Sequence, residues 1–264
     1  MTERELWSYT FRRSSLPELA AAAAAAGFDC VTLTTRLFDR SGGDTADLRA
    51  RVEDHGVRVT FVDGLATALP GTDLPPGEAT IDDCIHIAHA TGAGAINVVH
   101  MTGRPTPLSE MADAFGRACE RAEREDLRLA IEFIPDTGIP DFPTAAAIVR
   151  EAGHPRGSVL VDTWHLARGG GRLEDLTDDD VALIGGVQLS DRAPDQDTEP
   201  YVARKGRKIP GDGALPLAEL TERVRTAHPE LPIGIEVLSD ELDALGLDAG
   251  TRLLAASLDA LLAD

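Results

Sequence analysis

The sequence predicts a closed (β/α)8 barrel, and three observations carry that expectation. Eight short apolar runs alternate with helical stretches along the whole 264-residue chain, the pattern of parallel strands joined by right-handed crossovers. No linker or composition break divides the chain, so one domain over residues 1–264 is expected. Eight such units in about 250 residues suit a closed barrel better than an open doubly wound sheet. An open sheet would also want a glycine-rich phosphate turn after its first strand. Here that turn reads Thr10-Phe11-Arg12-Arg13-Ser14, without glycine, which disfavours a dinucleotide site.

The elements follow in order. Leu6–Tyr9 is the expected first strand. Ser15, with Pro17 and Glu18 close behind, caps a helix over Leu16–Ala26 that stops at Gly27. Its alanine run, Ala20–Ala26, gives a thin face able to lie close on a sheet. Cys30–Thr34 is the second strand, and a helix from about Thr45 to His55 ends at Gly56. Val57–Val62 is the third strand, closing at Asp63. The Pro/Gly-rich loop Gly64–Gly77 leads to a helix over Ala79–Thr91. Ala95–Val99 closes at His100, and a long helix covers Leu108–Glu125. Leu127–Ile131 closes at Glu132 and is followed by a helix over Thr144–Ala152. Val159–Val161 closes at Asp162, with a short helix within Leu173–Leu176. Ile184–Val187 closes at Gln188, followed by a helix over Leu215–Ala227. Ile233–Ile235 closes at Glu236, before a last helix over Ala249–Leu262.

Composition narrows the function. Lys+Arg 25 against Asp+Glu 45 gives a formal charge of −20. That argues against a phosphate-backbone groove, so no nucleic-acid partner is expected. Three cysteines, Cys30, Cys84 and Cys119, have no CxxC spacing and favour a reducing compartment. The N-terminus has no apolar signal core, and the softest stretch, Leu19–Phe28, is too short to span a bilayer. A cytoplasmic protein with no membrane partner is the expectation, and the sequence leaves room for a homo-oligomer.

In a barrel of this kind the C-terminal strand ends meet on one face, where sites are built. Those ends are Tyr9, Thr34, Asp63, His100, Glu132, Asp162, Gln188 and Glu236. The last four come from consecutive strands and offer three carboxylates and an amide oxygen. Carboxylates aimed at one spot repel unless a cation lies between them. An all-oxygen set suits Mg2+ or Mn2+ better than zinc. The stretch Gly157–Arg168, GSVLVDTWHLAR, is central to this reading. Asp162 closes its buried strand, and His165, one turn on, can donate to a substrate oxygen or cap a carbonyl. Arg207, in the long loop Asp191–Ala214, can reach an anionic or hydroxyl-rich ligand. Tyr9, His100 and Asp191 are further substrate-binding candidates, with packing, a core hydrogen bond and loop capping as their respective alternatives.

With these residues in place the chain resembles the xylose isomerase-like TIM-barrel superfamily. That group includes tagatose-type ketose 3-epimerases, inosose isomerases and dehydratases, hydroxypyruvate isomerases, 3-dehydroshikimate dehydratases and endonuclease IV. The most specific stretches are IEF at 131–133, VDTWH at 161–165, GVQLSD at 186–191 with RKIPGDG at 207–213, and GIEV at 234–237. The resemblance implies that Glu132, Asp162 and Glu236 bind a divalent ion. The fourth ligand in the epimerases is a histidine, and here that position is Gln188; some bacterial 3-dehydroshikimate dehydratases carry glutamine there. It also implies that Glu132 and Glu236 flank the reacting carbon, one removing a proton beside a polarised carbonyl and the other returning it. His165 would orient or protonate a substrate oxygen. The expectation is an isomerase or epimerase acting on a small polyhydroxylated substrate, a keto-sugar or keto-cyclitol. A dehydratase is the alternative, and a non-catalytic sugar-binding barrel is a third reading. Endonuclease IV is disfavoured, because no histidines follow Gln188 to build a three-metal cluster.

Overall fold

The structure is a computed structural model, and it describes residues 2–43, 47–101, 104, 106–193, 202 and 204–263. Seven parallel strands come first: β1 (Arg4–Leu6), β2 (Cys30–Thr34), β3 (Arg58–Leu65), β4 (Ala95–Val98), β5 (Arg128–Glu132), β6 (Gly157–Asp162) and β7 (Ile184–Gln188). A two-residue antiparallel ladder, β8 (Asp191–Arg192) with β9 (Arg207–Lys208), sits in the loop after β7. β10 (Ile233–Ile235) completes the set. The strand order is β10-β1-β2-β3-β4-β5-β6-β7. A parallel bridge between Leu189 and Ile235 joins its two ends, with Leu189 N donating to Gly234 O at 2.8 Å and Glu236 N to Leu189 O at 3.1 Å. The sheet therefore closes nearly completely into the expected barrel.

Alternation along each strand separates the barrel interior from the layer under the helices. Trp7, Phe61, Ala95, Ala130 and Leu160 form one buried inner cluster, while their neighbours Leu6, Val62, Ile96, Ile131 and Val161 join the large core that meets the helices. Trp7 and Phe61 fill the axis, with ring centroids 5.2 Å apart. Such a pair adds about 0.5–1.5 kcal/mol beyond its area burial. Two glycines make room for it. A Cβ on Gly234 would lie 2.3 Å from Trp7 Nε1, and one on Gly186 would lie 3.1 Å from Phe61 Cζ. The next inward position on four strands, two residues beyond Ala130, Leu160, Gly186 and Gly234, holds Glu132, Asp162, Gln188 and Glu236.

The helices are α1 (Leu16–Ala26), α2 (Thr35–Arg40), α3 (Leu48–Glu53), α4 (Ile81–Thr91), α5 (Leu108–Glu123), α6 (Phe142–Ala152), α7 (Thr163–Arg168), α8 (Asp178–Val181), α9 (Leu217–Ala227), α10 (Asp240–Leu245) and α11 (Leu247–Leu262). α1 has its expected bounds, a Ser15–Glu18 capping box and a left-handed Gly27 at its end. Among the described residues no helix is long and apolar enough to cross a membrane.

Several elements differ from expectation. The first strand ends at Leu6, not Tyr9. Trp7 N still donates to Ile235 O, but Ser8 N turns to the Thr32 hydroxyl at 3.0 Å, and a 3-10 turn follows over Ser8–Phe11. β3 runs on through Asp63 to Leu65, so Asp63 lies within the ladder opposite Asn97. Thr34 does not end in a cavity. Its side chain accepts from Leu37 N and caps the unforeseen helix α2. The helix expected from Thr45 is seen from Leu48, and Thr45 lies outside the described residues. Much of the expected Asp191–Ala214 loop, residues 194–201 and 203, also falls outside them.

Candidate functional site

Glu132, Asp162, Gln188 and Glu236 close four adjacent barrel strands, and all are buried, at 6, 0, 1 and 4% exposure. Acidic side chains are rarely buried so fully unless something pairs with them.

Asp162 is paired most completely. Its Oδ1 accepts from Trp164 N at 2.8 Å and His165 N at 3.0 Å, so the carboxylate that ends β6 also starts α7. Its Oδ2 accepts from Arg207 Nη1 at 2.7 Å. Burial pushes this carboxyl up, but the charge of Arg207 and these hydrogen bonds outweigh it and hold the group below its usual range. Arg207 is itself enclosed. Its guanidinium lies 4.7 Å from the Trp164 ring centroid, Nη1 also reaches Ser190 Oγ at 3.3 Å, and Nη2 meets His165 Nε2 at 3.0 Å. Arginine has no acceptor, so His165 Nε2 must accept and the imidazole proton sits on Nδ1. Nδ1 lies 3.2 Å from Glu132 Oε1 and 3.6 Å from Asp162 Oδ2. Ligand atoms of Glu132, Asp162 and His165 all fall within 4.8 Å of one another. His165 therefore lies in the same cluster as the carboxylates.

Glu132 is also held from β4, where Asn97 Nδ2 donates to Glu132 Oε2 at 2.6 Å and to Asp63 Oδ1 at 2.8 Å. Burial and the neighbouring Glu132 charge raise Asp63 to about 7, against the Asn97 hydrogen bond. Glu236 is pushed well above the carboxylate range by burial. Arg207 opposes that shift, and the charges of Asp63, Glu132 and Asp162 add to it. Its backbone is fixed by Ser190 Oγ, which donates to Glu236 O at 2.6 Å. Ser190 in turn donates its N–H to Thr163 Oγ1 at 2.9 Å, so one hydroxyl network ties together the ends of β6, β7 and β10. Glu236 Oε1, Gln188 Oε1 and Asn97 Oδ1 are buried without a hydrogen-bond partner. Buried polar atoms are nearly always satisfied, so these oxygens mark a place shaped for something the chain does not itself provide. A surplus of negative charge, offset by one guanidinium, and a set of hard oxygens fit a divalent cation.

The other substrate-binding candidates have partners of their own. Tyr9 sits on the 3-10 turn, 42% exposed, with Arg12 over its ring. His100 is fully buried, but both ring nitrogens are taken by backbone: Gly138 N donates to Nδ1 at 3.2 Å, so Nε2 carries the proton and donates to Pro70 O at 3.1 Å. It locks two loops together. Asp191 accepts four backbone N–H groups, from Arg192, Gly211, Gly213 and Leu215. It pins the RKIPGDG segment from which Arg207 enters the site. Gly213 is required there, since a Cβ would fall 2.2 Å from Asp191 Oδ1.

Asn97, Ser190 and Thr163 are site residues that the sequence reading missed. Only Asn97 left a signal: a polar residue two positions after the inward Ala95, in register with Asp63.

Known proteins share this architecture. A protein of Streptomyces coelicolor named "Putative hydroxypyruvate isomerase" is 29% identical over 256 residues, covering 87% of this chain and 88% of its own length. A structure described as IOLI protein with a binding zinc atom superposes with a TM-score of 0.82 at 16% identity, over 100% of this chain and 98% of that one. The "probable 3-DHS dehydratase AsbF" of Bacillus anthracis superposes with a TM-score of 0.75 at 17% identity, over 98% of each chain. At such identities the two structures establish the fold alone. Residues 20–261 match the family described as xylose isomerase-like TIM barrel. The chain belongs to that family.

Proposed function

We propose that this chain is a divalent-metal-dependent isomerase or epimerase that moves a proton beside the carbonyl of a keto-sugar or keto-cyclitol. One observation carries the reading. Three buried carboxylates and an amide converge from four adjacent strand ends, and Gln188 Oε1 and Glu236 Oε1 have no partner there. Glu132, Asp162, Gln188 and Glu236 would hold the cation, with His165 Nδ1 beside them. Mn2+ and Mg2+ suit the oxygens, and the zinc of the IOLI structure adds Zn2+ to the ions to be tried. When bound, such a cation polarises a substrate carbonyl and acidifies the adjacent C–H.

The chain's own groups do the rest. Glu132, oriented by Asn97, and Glu236, unpartnered at Oε1, are the two groups that take and return the proton. His165, its tautomer set by Arg207, presents an Nδ1–H toward the carboxylates and a substrate oxygen. Arg207 keeps Asp162 ionised. The buried Trp164 and the inner Trp7–Phe61 layer close the floor against water.

A dehydratase is the second reading, supported by Gln188 and by the AsbF likeness. There a β-hydroxyl leaves after the same proton removal. The test is incubation with Mn2+, Mg2+ or Zn2+ and a panel of ketoses, inososes, hydroxypyruvate and 3-dehydroshikimate. Solvent deuterium in a returned or isomerised substrate supports the isomerase. A new conjugated, ultraviolet-absorbing product supports the dehydratase. No reaction and no retained metal would leave a sugar-binding barrel.

A further inference from the structure

Asn97 is a fully buried polar side chain in the middle of a strand of Ala, Ile and Val, and no step above uses it to touch substrate. Its amide nitrogen has two hydrogens and spends each on a different carboxylate, Glu132 Oε2 at 2.6 Å and Asp63 Oδ1 at 2.8 Å. The amide cannot be reversed, because its oxygen would then face two carboxylates at hydrogen-bond distance. In the orientation that remains, Oδ1 is buried and unpartnered. An unmet buried acceptor costs free energy, so packing alone does not favour asparagine here. The register explains the reach. Asn97 lies opposite Asp63 on β3, and β5, carrying Glu132, is its other neighbour. His165 Nδ1 contacts the other oxygen of the same carboxylate, Oε1, at 3.2 Å. Glu132 is therefore held from β4 through Oε2, with the His165 imidazole on its other side.

We infer that Asn97 is a positioning residue that fixes the Glu132 carboxylate for proton transfer, using Asp63 as the anchor for its second N–H. The inference rests on the isomerase or lyase reading of this site and adds to it a residue outside the cation's donor set. Asn97 acts through Glu132, so its removal reaches turnover more than substrate binding. A misplacement of about 1 Å in a reacting group can cost about 100-fold in rate.

The experiment compares wild type, Asn97→Ala, the isosteric Asn97→Asp and Asp63→Asn in the manganese-loaded protein. Asn97→Ala and Asn97→Asp are expected to lower kcat about 100-fold while KM stays close to wild type. Asp63→Asn keeps an oxygen that can accept the second Asn97 N–H, so it is expected to keep most of kcat. Equal losses in Asp63→Asn and Asn97→Ala, or wild-type kcat in Asn97→Ala, would overturn the inference. So would a loss carried wholly by KM. Crystal structures of wild type and Asn97→Asp, which is close to isosteric, supply a readout that does not depend on activity. A Glu132 carboxylate turned away from its wild-type orientation supports the inference, and one left in place refutes it. If wild type acts on no substrate, the proposed function fails while this structural comparison still decides the role of Asn97.

Discussion

Replacing Glu5 by glutamine should make the protein's stability less dependent on pH. Glu5 points into the barrel below Trp7, 1% exposed, where its carboxyl accepts a hydrogen bond from the Thr60 hydroxyl. Burial raises it from 4.5 to about 7, against the lowering effects of Thr60 and Arg58. An acid with a higher pKa folded than unfolded favours the fold when protonated. Its contribution is fully present below about pH 4.5 and is lost as pH rises through about 7. The full shift of about 2.5 pH units corresponds to about 3 kcal/mol, of which about 2 kcal/mol falls between about pH 5.5 and 8.5. Urea denaturation of wild type and Glu5→Gln across that range isolates the group, since every other titration is common to both. Wild type should lose about 2 kcal/mol more than the variant, and the variant should be the more stable at the alkaline end. Parallel curves would refute the assignment of a proton to Glu5 in the fold.

Other outcomes follow from the site and its floor. Glu236→Gln should reduce turnover by about 100- to 10,000-fold while leaving the thermal melt no lower than wild type, because it replaces a buried acid already pushed toward its neutral form. Retained turnover would remove Glu236 from proton transfer. Arg207→Met strands Asp162, which is 0% exposed, without its counter-charge. It should cost about 3–5 kcal/mol at neutral pH, read by urea denaturation, with part of the loss recovered in acid as Asp162 takes a proton. Gly234→Ala puts a Cβ 2.3 Å from both Trp7 Nε1 and Val187 O. It should destabilise by about 1–3 kcal/mol and shift tryptophan fluorescence.

The barrel was legible because strand and helix periods alternate without interruption, and because a closed barrel puts every strand end on one face. The four site strands were legible for a further reason. Each carries a small or apolar inward residue two positions before a polar one, as in Ala130–Glu132 and Gly234–Glu236. The first strand was overextended because Trp7-Ser8-Tyr9 has strand-like composition, and the bond that ends the ladder comes from Thr32, 24 residues away. α7 escaped notice because it has six residues and is started by a side chain, Asp162, already read as a strand end. From sequence Asp191 is open between a ligand contact and a loop cap, because its oxygens are spent on backbone groups 20 to 24 residues later. His100 is open between substrate and a core hydrogen bond for the same reason, since its partners lie 30 and 38 residues off. Asn97 reads in isolation as an interruption of AINV, and becomes informative only when register places it beside Asp63.

The central claim is that one divalent cation is held by the ends of β5, β6, β7 and β10, beside the two glutamates that move the proton. Anomalous diffraction from crystals soaked in Mn2+ tests it directly. The account predicts a single strong peak about 2 Å from carboxylate oxygens of Glu132, Asp162 and Glu236 and from Gln188 Oε1. A peak away from these residues, or none at saturating manganese, would contradict it.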